Sequence, residues 1–207
     1  MLDPQRWQGL WQQLGSEAPA GSFAELQSAY ATPGRHYHST RHIQACLDHF
    51  DRWQHLADNP ALVELALWTH DLVYDTHRQD NEAASAQRAC QWLDDAELGK
   101  HEAALRELIL ATCHQQAPEG DDAALVVDID LAILASKPND YAQYEAAVRA
   151  EYAWVPEALF RAGRAKLLKQ LLAMPALYHQ ASLAKLWEAP ARRNLQAALA
   201  ALESQSE

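Results

Sequence analysis

Apolar residues recur along the chain at spacings of three and four, the period of an α-helix that packs by one face. Trp7, Leu10, Trp11 and Leu14 follow i, i+3, i+4, i+7, and Ile43, Cys46, Leu47 and Phe50 repeat the pattern in a helix expected to open near Ser39 or Thr40. Asn59 and Pro60 break the chain before "ALVELALWTHDLV", which is apolar around nearly its whole circumference and predicts a buried central helix. The amphipathic "DNEAASAQRACQWL" follows, with Asp80 as the expected cap. Further helices are predicted over about 101–114, 122–136, 140–153 and 156–173, and two short ones complete the chain, with Pro118, Pro138, Pro156, Pro175 and Pro190 at starts or turns. The fold class is therefore all-α, a helical bundle with additional C-terminal helices. One domain over 1–207 is expected, its core at about 25–136 and a helical extension at about 137–207.

Two of the most apolar runs carry ionisable groups. His70 and Asp71 close the central helix, and Asp128 and Asp130 interrupt "ALVVDIDLAIL"; neither run contains a lysine or arginine. A buried carboxylate without a partner costs several kcal/mol, on the order of the penalty for an uncompensated buried charge. A cation resolves both cases, and imidazole with carboxylate suits Mn, Fe, Co, Ni or Zn. His42, from the crowded string "HYHSTRH", supplies a third segment. On a helix Asp128 and Asp130 diverge by about 200°, so one faces such an ion, and Asp130 is favoured over Asp128.

The remaining composition narrows the options. A net charge of -11 disfavours coating an extended nucleic acid, which needs clustered Lys and Arg. No run approaches the roughly 20 apolar residues of a membrane helix, and the N-terminal residues lack a signal-peptide layout, so a soluble cytoplasmic protein is expected. Cys46, Cys90 and Cys113 form no CxxC pair and are expected to be packed thiols. The seven tryptophans are expected to be core.

A histidine, an adjacent His-Asp pair and a distant aspartate on a later helix resemble the HD superfamily of metal-dependent phosphohydrolases. The strings "RHYHSTRHI", "THDLVYDTHRQDNE" and "DIDLAIL", with "YAQYEAAVRAEYAWV" and "AGRAKLLKQLL" beyond the core, are most similar to a bacterial branch of predicted metal-dependent HD phosphohydrolases. A more distant likeness is to (p)ppGpp hydrolase domains, but Tyr74 stands where those carry a glutamate. The resemblance implies a divalent ion (Mn, Fe, Co, Ni, Zn or Mg) on His42, His70, Asp71 and Asp130. It also implies hydrolysis of a phosphoester or phosphoanhydride in a nucleotide or other small phosphorylated metabolite, by a water whose pKa the ion lowers.

Around that set, Asp75 follows Asp71 by one helical turn and is expected to orient the water or take its proton. Arg35, His38 and His114 are candidate contacts to the phosphate, as is Arg149, which with Tyr144, Glu151 and Tyr152 recurs in the resembling branch. His36 is expected to be a loop residue. His101 and His114 lie between the His-Asp pair and the last aspartate, but 13 residues apart they suit a second ion poorly, so one ion is expected. Three rivals follow: a nucleotide sensor without turnover, a magnesium-dependent DxD phosphotransferase if "VVDIDLAIL" (126–134) is a strand, and a di-iron oxygenase. Monomer and homodimer are both compatible with the sequence.

Overall fold

A computed structural model describes residues 2–204, and all its regular structure is helical, with no strand among the described residues. The helices are α1 (Pro4–Leu14), α2 (Ser22–Tyr30), α3 (Thr40–Trp53), α4 (Pro60–Thr69), α5 (Asn81–Asp95), α6 (Glu102–Ala111), α7 (Asp121–Asp130), α8 (Pro138–Glu151), α9 (Glu157–Ala173) and α10 (Ala181–Ser204). Short 3-10 turns cover 54–56, 99–101 and 131–135. No described helix is long and apolar enough to cross a membrane. The "VVDIDLAIL" run is the end of α7 and the 3-10 turn after it, so the strand on which the DxD rival depends is not formed.

The chain divides into two compact units, Met1–Asp130 and Leu131–Glu207. The division comes a few residues before the expected boundary near 136, because the 131–135 turn packs on α8 and α10. Residues 205–207 of the expected extension lie outside the described residues.

In the first unit α4 is the central helix, packed by α1, α3, α6 and α7, with every residue from Leu62 to Thr69 buried. Pro60 opens it, and the Asn59 side chain accepts from the Leu62 amide. Trp7 of α1 is fully buried and meets Trp11, Trp68 and Trp92 edge to face, while its indole N–H donates to Ser22 Oγ at 3.0 Å. Helix α1, which precedes the expected core at about 25, is therefore integral to it. Glu64, buried on α4, accepts from Arg6 of α1 at 2.7 Å and from the Trp68 indole at 3.2 Å.

Helix α4 stops at Thr69, four residues short of the predicted "ALVELALWTHDLV" helix, because other groups take its terminal carbonyls. Tyr30 Oη donates to the Trp68 carbonyl at 2.9 Å, and the Leu72 amide turns back to that of Thr69 at 3.0 Å. Beyond the helix, Arg35 donates to the carbonyls of Asp71 (2.6 Å) and Leu72 (3.0 Å), and Ser85 Oγ bonds the Val73 amide. Asp80 stands at the N-cap of α5 but does not cap it; its carboxylate pairs with Arg78.

In the second unit, Leu134, Tyr141, Leu168, Leu171, Leu177, Tyr178, Ala191 and Leu195 form the core. The two short C-terminal helices expected are one helix, α10, that runs through Pro190. A proline inside a helix costs about 3 kcal/mol. Here Leu183, Ala191, Asn194 and Leu195 keep one buried face on both sides of it, and Glu188 pairs with Arg192 across it at 2.7 Å. Arg164, buried, forms a two-pronged ion pair with Glu145 and donates to Tyr144 Oη.

Trp7→Ala removes the ring at the meeting point of three tryptophans, and the expected cost is about 3–5 kcal/mol of unfolding free energy, read from urea denaturation. A loss below about 1 kcal/mol would show that α1 is peripheral.

Candidate metal centre

Three packed helices of the first unit bring their polar groups to one point. His42 projects from the first turn of α3, His70 is the C-cap of α4 with Asp71 next to it, and Asp130 is the last residue of α7. Helices α3, α4 and α7 pack pairwise on one another. His42, His70 and Asp71 are at most 8% exposed.

The distances are short. His42 Nε2 lies 3.1 Å from His70 Nε2, 3.1 Å from Asp130 Oδ1 and 3.5 Å from Asp71 Oδ2. His70 Nε2 lies 3.2 Å from Asp71 Oδ2 and 3.4 Å from Asp130 Oδ1. Around an ion with bonds of about 2.1 Å, neighbouring donor atoms are about 3.0 Å apart in an octahedron and about 3.4 Å apart in a tetrahedron. The observed separations fall in that interval to within a tenth of an ångström, so these side chains are positioned to hold a metal ion.

Protonation points the same way. His70 Nδ1 faces the Leu67 carbonyl at 3.1 Å, so Nδ1 carries the proton and the Nε2 lone pair of the neutral ring faces the other three groups. That lone pair and two carboxylate oxygens converge beside His42 Nε2, and acceptors at these distances repel unless a proton or a cation lies among them. Asp71 Oδ2 is buried and no hydrogen bond reaches it. An orphaned carboxylate oxygen facing two imidazoles fits a cation ligand.

Without a metal, a proton must meet the same requirement. Burial would depress the His70 imidazole, but the Asp71 and Asp130 charges outweigh it and hold His70 well above its ordinary value. Burial would raise Asp71, yet His70, His38 and His42 keep it below the usual carboxylate range. Asp130 is likewise held well below that range against its burial, by His114, His42 and His70.

It is Asp130, not Asp128, whose carboxylate meets the two imidazoles; Asp128 leaves α7 about 200° away and is fully buried. Asp130 divides its oxygens, Oδ1 toward His42 and His70, Oδ2 toward His114 Nε2 at 3.0 Å. Helix α6 ends at Ala111 rather than 114, and His114 adopts a left-handed backbone, φ 52°, at the turn beyond. Its Nδ1 is buried without a hydrogen-bond partner.

The other expected residues are placed differently. Because α4 stops at Thr69, Asp75 is not one helical turn above Asp71; it lies on an exposed turn, and its Oδ1 accepts from the His77 amide and faces the His77 ring, both at 2.9 Å. Arg35 clamps the backbone after the His-Asp pair, its guanidinium over the rings of Tyr30 and Tyr74. His38 stacks on Tyr74 with centroids 4.1 Å apart and meets His42 edge to face at 6.0 Å. Tyr37 packs against His42 at 4.7 Å, and His36 is exposed. Arg78 is held by Asp80. Arg149, in the second unit, pairs with Glu157, donates to the Tyr152 and Val155 carbonyls and lies over Phe160.

Cys46, expected to be a packed thiol, is buried on α3 beside the cluster. Its Sγ is 3.8 Å from both ring nitrogens of His42, at i, i+4 spacing in α3. No family model, curated protein or solved structure matches this chain.

Two outcomes are expected. A raised His70 stabilises the metal-free fold below about pH 6.5 and ceases to as pH rises through its folded value; the lowered Asp71 and Asp130 stabilise it above about pH 4 and cease to as pH falls through theirs. Chelated protein should therefore melt lower at about pH 8 than at about pH 6, and a divalent ion should raise the melting temperature more at the higher pH. Equal metal effects at the two pH values would contradict this. His114→Ala leaves Asp130 Oδ2 without its donor and should weaken metal affinity about 10- to 100-fold in calorimetric titration.

Proposed function

We propose that the chain is a metal-dependent phosphohydrolase of the HD type, in which His42, His70, Asp71 and Asp130 hold one divalent ion. The convergence of four acceptor atoms on a buried point, with Asp71 Oδ2 left unsatisfied, is the observation that carries this reading. The resemblance of the "RHYHSTRHI", "THDLVYDTHRQDNE" and "DIDLAIL" strings to HD phosphohydrolases supports it. When bound, the ion supplies Lewis-acid polarisation of a phosphoryl oxygen and a water acidified to near-neutral pKa.

The chain's own residues do the positioning. The Leu67 carbonyl fixes the His70 tautomer, and His114 fixes the Asp130 carboxylate. Arg35 ties the loop that carries His38 to the backbone of Asp71 and Leu72, which sets the mouth of the site. Of the candidate phosphate contacts, this reading keeps His38 for a phosphate of a nucleotide or similar metabolite, since the donors of Arg35 and Arg149 go to backbone carbonyls and Glu157 and His114 Nε2 faces Asp130. Asp75, fastened to His77 on an exposed turn, takes the role of turn residue rather than base.

That placement of Asp75 and Arg35 favours one second reading, a nucleotide sensor that uses the same centre without turnover. Metal analysis of purified protein, followed by a phosphoester and nucleotide screen in Mn(II), Co(II), Zn(II) and Mg(II), separates the two. The wild type should hold about one ion per chain and cleave at least one phosphorylated compound, and Asp71→Ala should lose both. Binding without cleavage supports the sensor. Equal metal content and activity in wild type and Asp71→Ala overturn both.

A further inference from the structure

We propose that the outer face of α9 pairs with the same face of a second copy of the chain, antiparallel and two-fold symmetric about Gly163. The pairing does not depend on the metal centre of the first unit. Burial gives α9 two faces: Arg164, Leu168 and Leu171 are buried, while Leu159 and Leu167 are 66% and 42% exposed. Leu159, Gly163 and Leu167 follow i, i+4, i+8 and so form one row along the helix. Rows of that spacing are the ones that interdigitate most often between packed helices. Leucines scattered singly over a surface need no partner, but these two stand in one row on either side of a notch.

Gly163 makes that notch, and the single chain does not account for it. It is exposed in the interior of a 17-residue helix, where glycine is weaker than alanine, yet a Cβ added there would meet no atom within 4 Å. The fold has room for a side chain at 163, whereas a second helix crossing at that point does not leave it. About a two-fold axis at Gly163, Leu159 of each copy meets Leu167 of the other, a self-complementary contact of the kind that closes a dimer.

Charge selects the partner and its direction. Residues 1–130 hold 21 acidic and 8 basic side chains, and residues 131–207 hold 7 and 9. The first units of two copies therefore repel, and the near-neutral second unit is the part by which two copies can approach; the net charge of -11 opposes an anionic lipid surface as the occupant. Along α9 the acid, Glu157, stands at the start, and Lys166 and Lys169 stand in the second half. An antiparallel pair sets the acidic end of each helix toward the basic end of the other, and a parallel pair sets like on like. Arg161 and Arg164, between those ends, are engaged with the Leu202 carbonyl and with Glu145. Glu157 and Lys169 also bond to Arg149 and Glu203 of their own chain, but their side chains are 63% and 59% exposed. Lys166 makes no ion pair among the described residues.

The test is analytical ultracentrifugation of the full chain from about 1 to 100 μM, the range in which a weak to moderate dimer dissociates. Wild type should sediment as a particle of two 23.2-kDa chains at the upper end and dissociate on dilution. Gly163→Arg and Leu159→Glu should each keep the helical content and melting temperature and weaken the dimer at least about 100-fold. Leu110→Glu, at an exposed leucine of the first unit, should leave the dimer unchanged. Gly163→Cys should give a disulfide-linked dimer on mild oxidation, and Leu186→Cys, exposed on α10, should not. A wild type that stays monomeric at the highest concentration, or a dimer that survives both Gly163→Arg and Leu159→Glu, would overturn the proposal. A monomer that binds phosphatidylserine vesicles and is released by Leu159→Glu would overturn it in favour of a lipid surface.

Discussion

The Nε2 atoms of His42 and His70 lie 3.1 Å apart and each within 3.1–3.5 Å of a carboxylate oxygen of Asp71 and of Asp130, so the buried carboxylates of the first unit need a proton or a cation between them and the imidazoles. Repulsion between the two carboxylates and the His70 lone pair would otherwise oppose the approach of the ends of α3, α4 and α7. A proton on His70 or a divalent ion meets the need, and the two exclude each other because they use the same lone pair. Metal affinity and fold stability are therefore linked through one site, with pH setting which occupant wins.

Helix ends, rather than helix middles, supply the chemistry. The middle of α4 is packed on every side, and His70, whose amide donates to the Ala66 carbonyl at 2.8 Å, is the last residue to make a helical backbone bond. His70 and Asp71 stand where the helix gives way to a turn, and their Nε2 and Oδ2 atoms meet at 3.2 Å. Tyr30, Arg35 and Ser85 make the turn tolerable by bonding the backbone groups that the helix abandons. The ion-binding geometry thus depends on residues that touch no ligand.

Much of this was legible in the chain because burial on a helix is a local, periodic signal. The stripe Ile43, Cys46, Leu47 and Phe50 and the all-round apolarity of 61–69 name their own faces, and 100° per residue was enough to prefer Asp130 to Asp128. What was not legible depends on partners distant in sequence. Tyr30 takes a terminal carbonyl of α4 and Arg35 and Ser85 hold the turn beyond it, whereas a helix assumed to continue placed Asp75 one turn above Asp71. Arg35 reads as a free phosphate clamp until the carbonyls of Asp71 and Leu72 are found within its reach. Pro190 reads as a helix boundary until the buried face on both sides of it is seen.

The most direct measurement is anomalous diffraction from crystals grown with Zn(II) or Co(II), recorded on both sides of the metal absorption edge. The account predicts one strong edge-dependent peak enclosed by His42 Nε2, His70 Nε2, Asp71 and Asp130, about 2.0–2.3 Å from each donor atom. A metal-loaded crystal with no peak at that point, or with its peak on other residues, would contradict it.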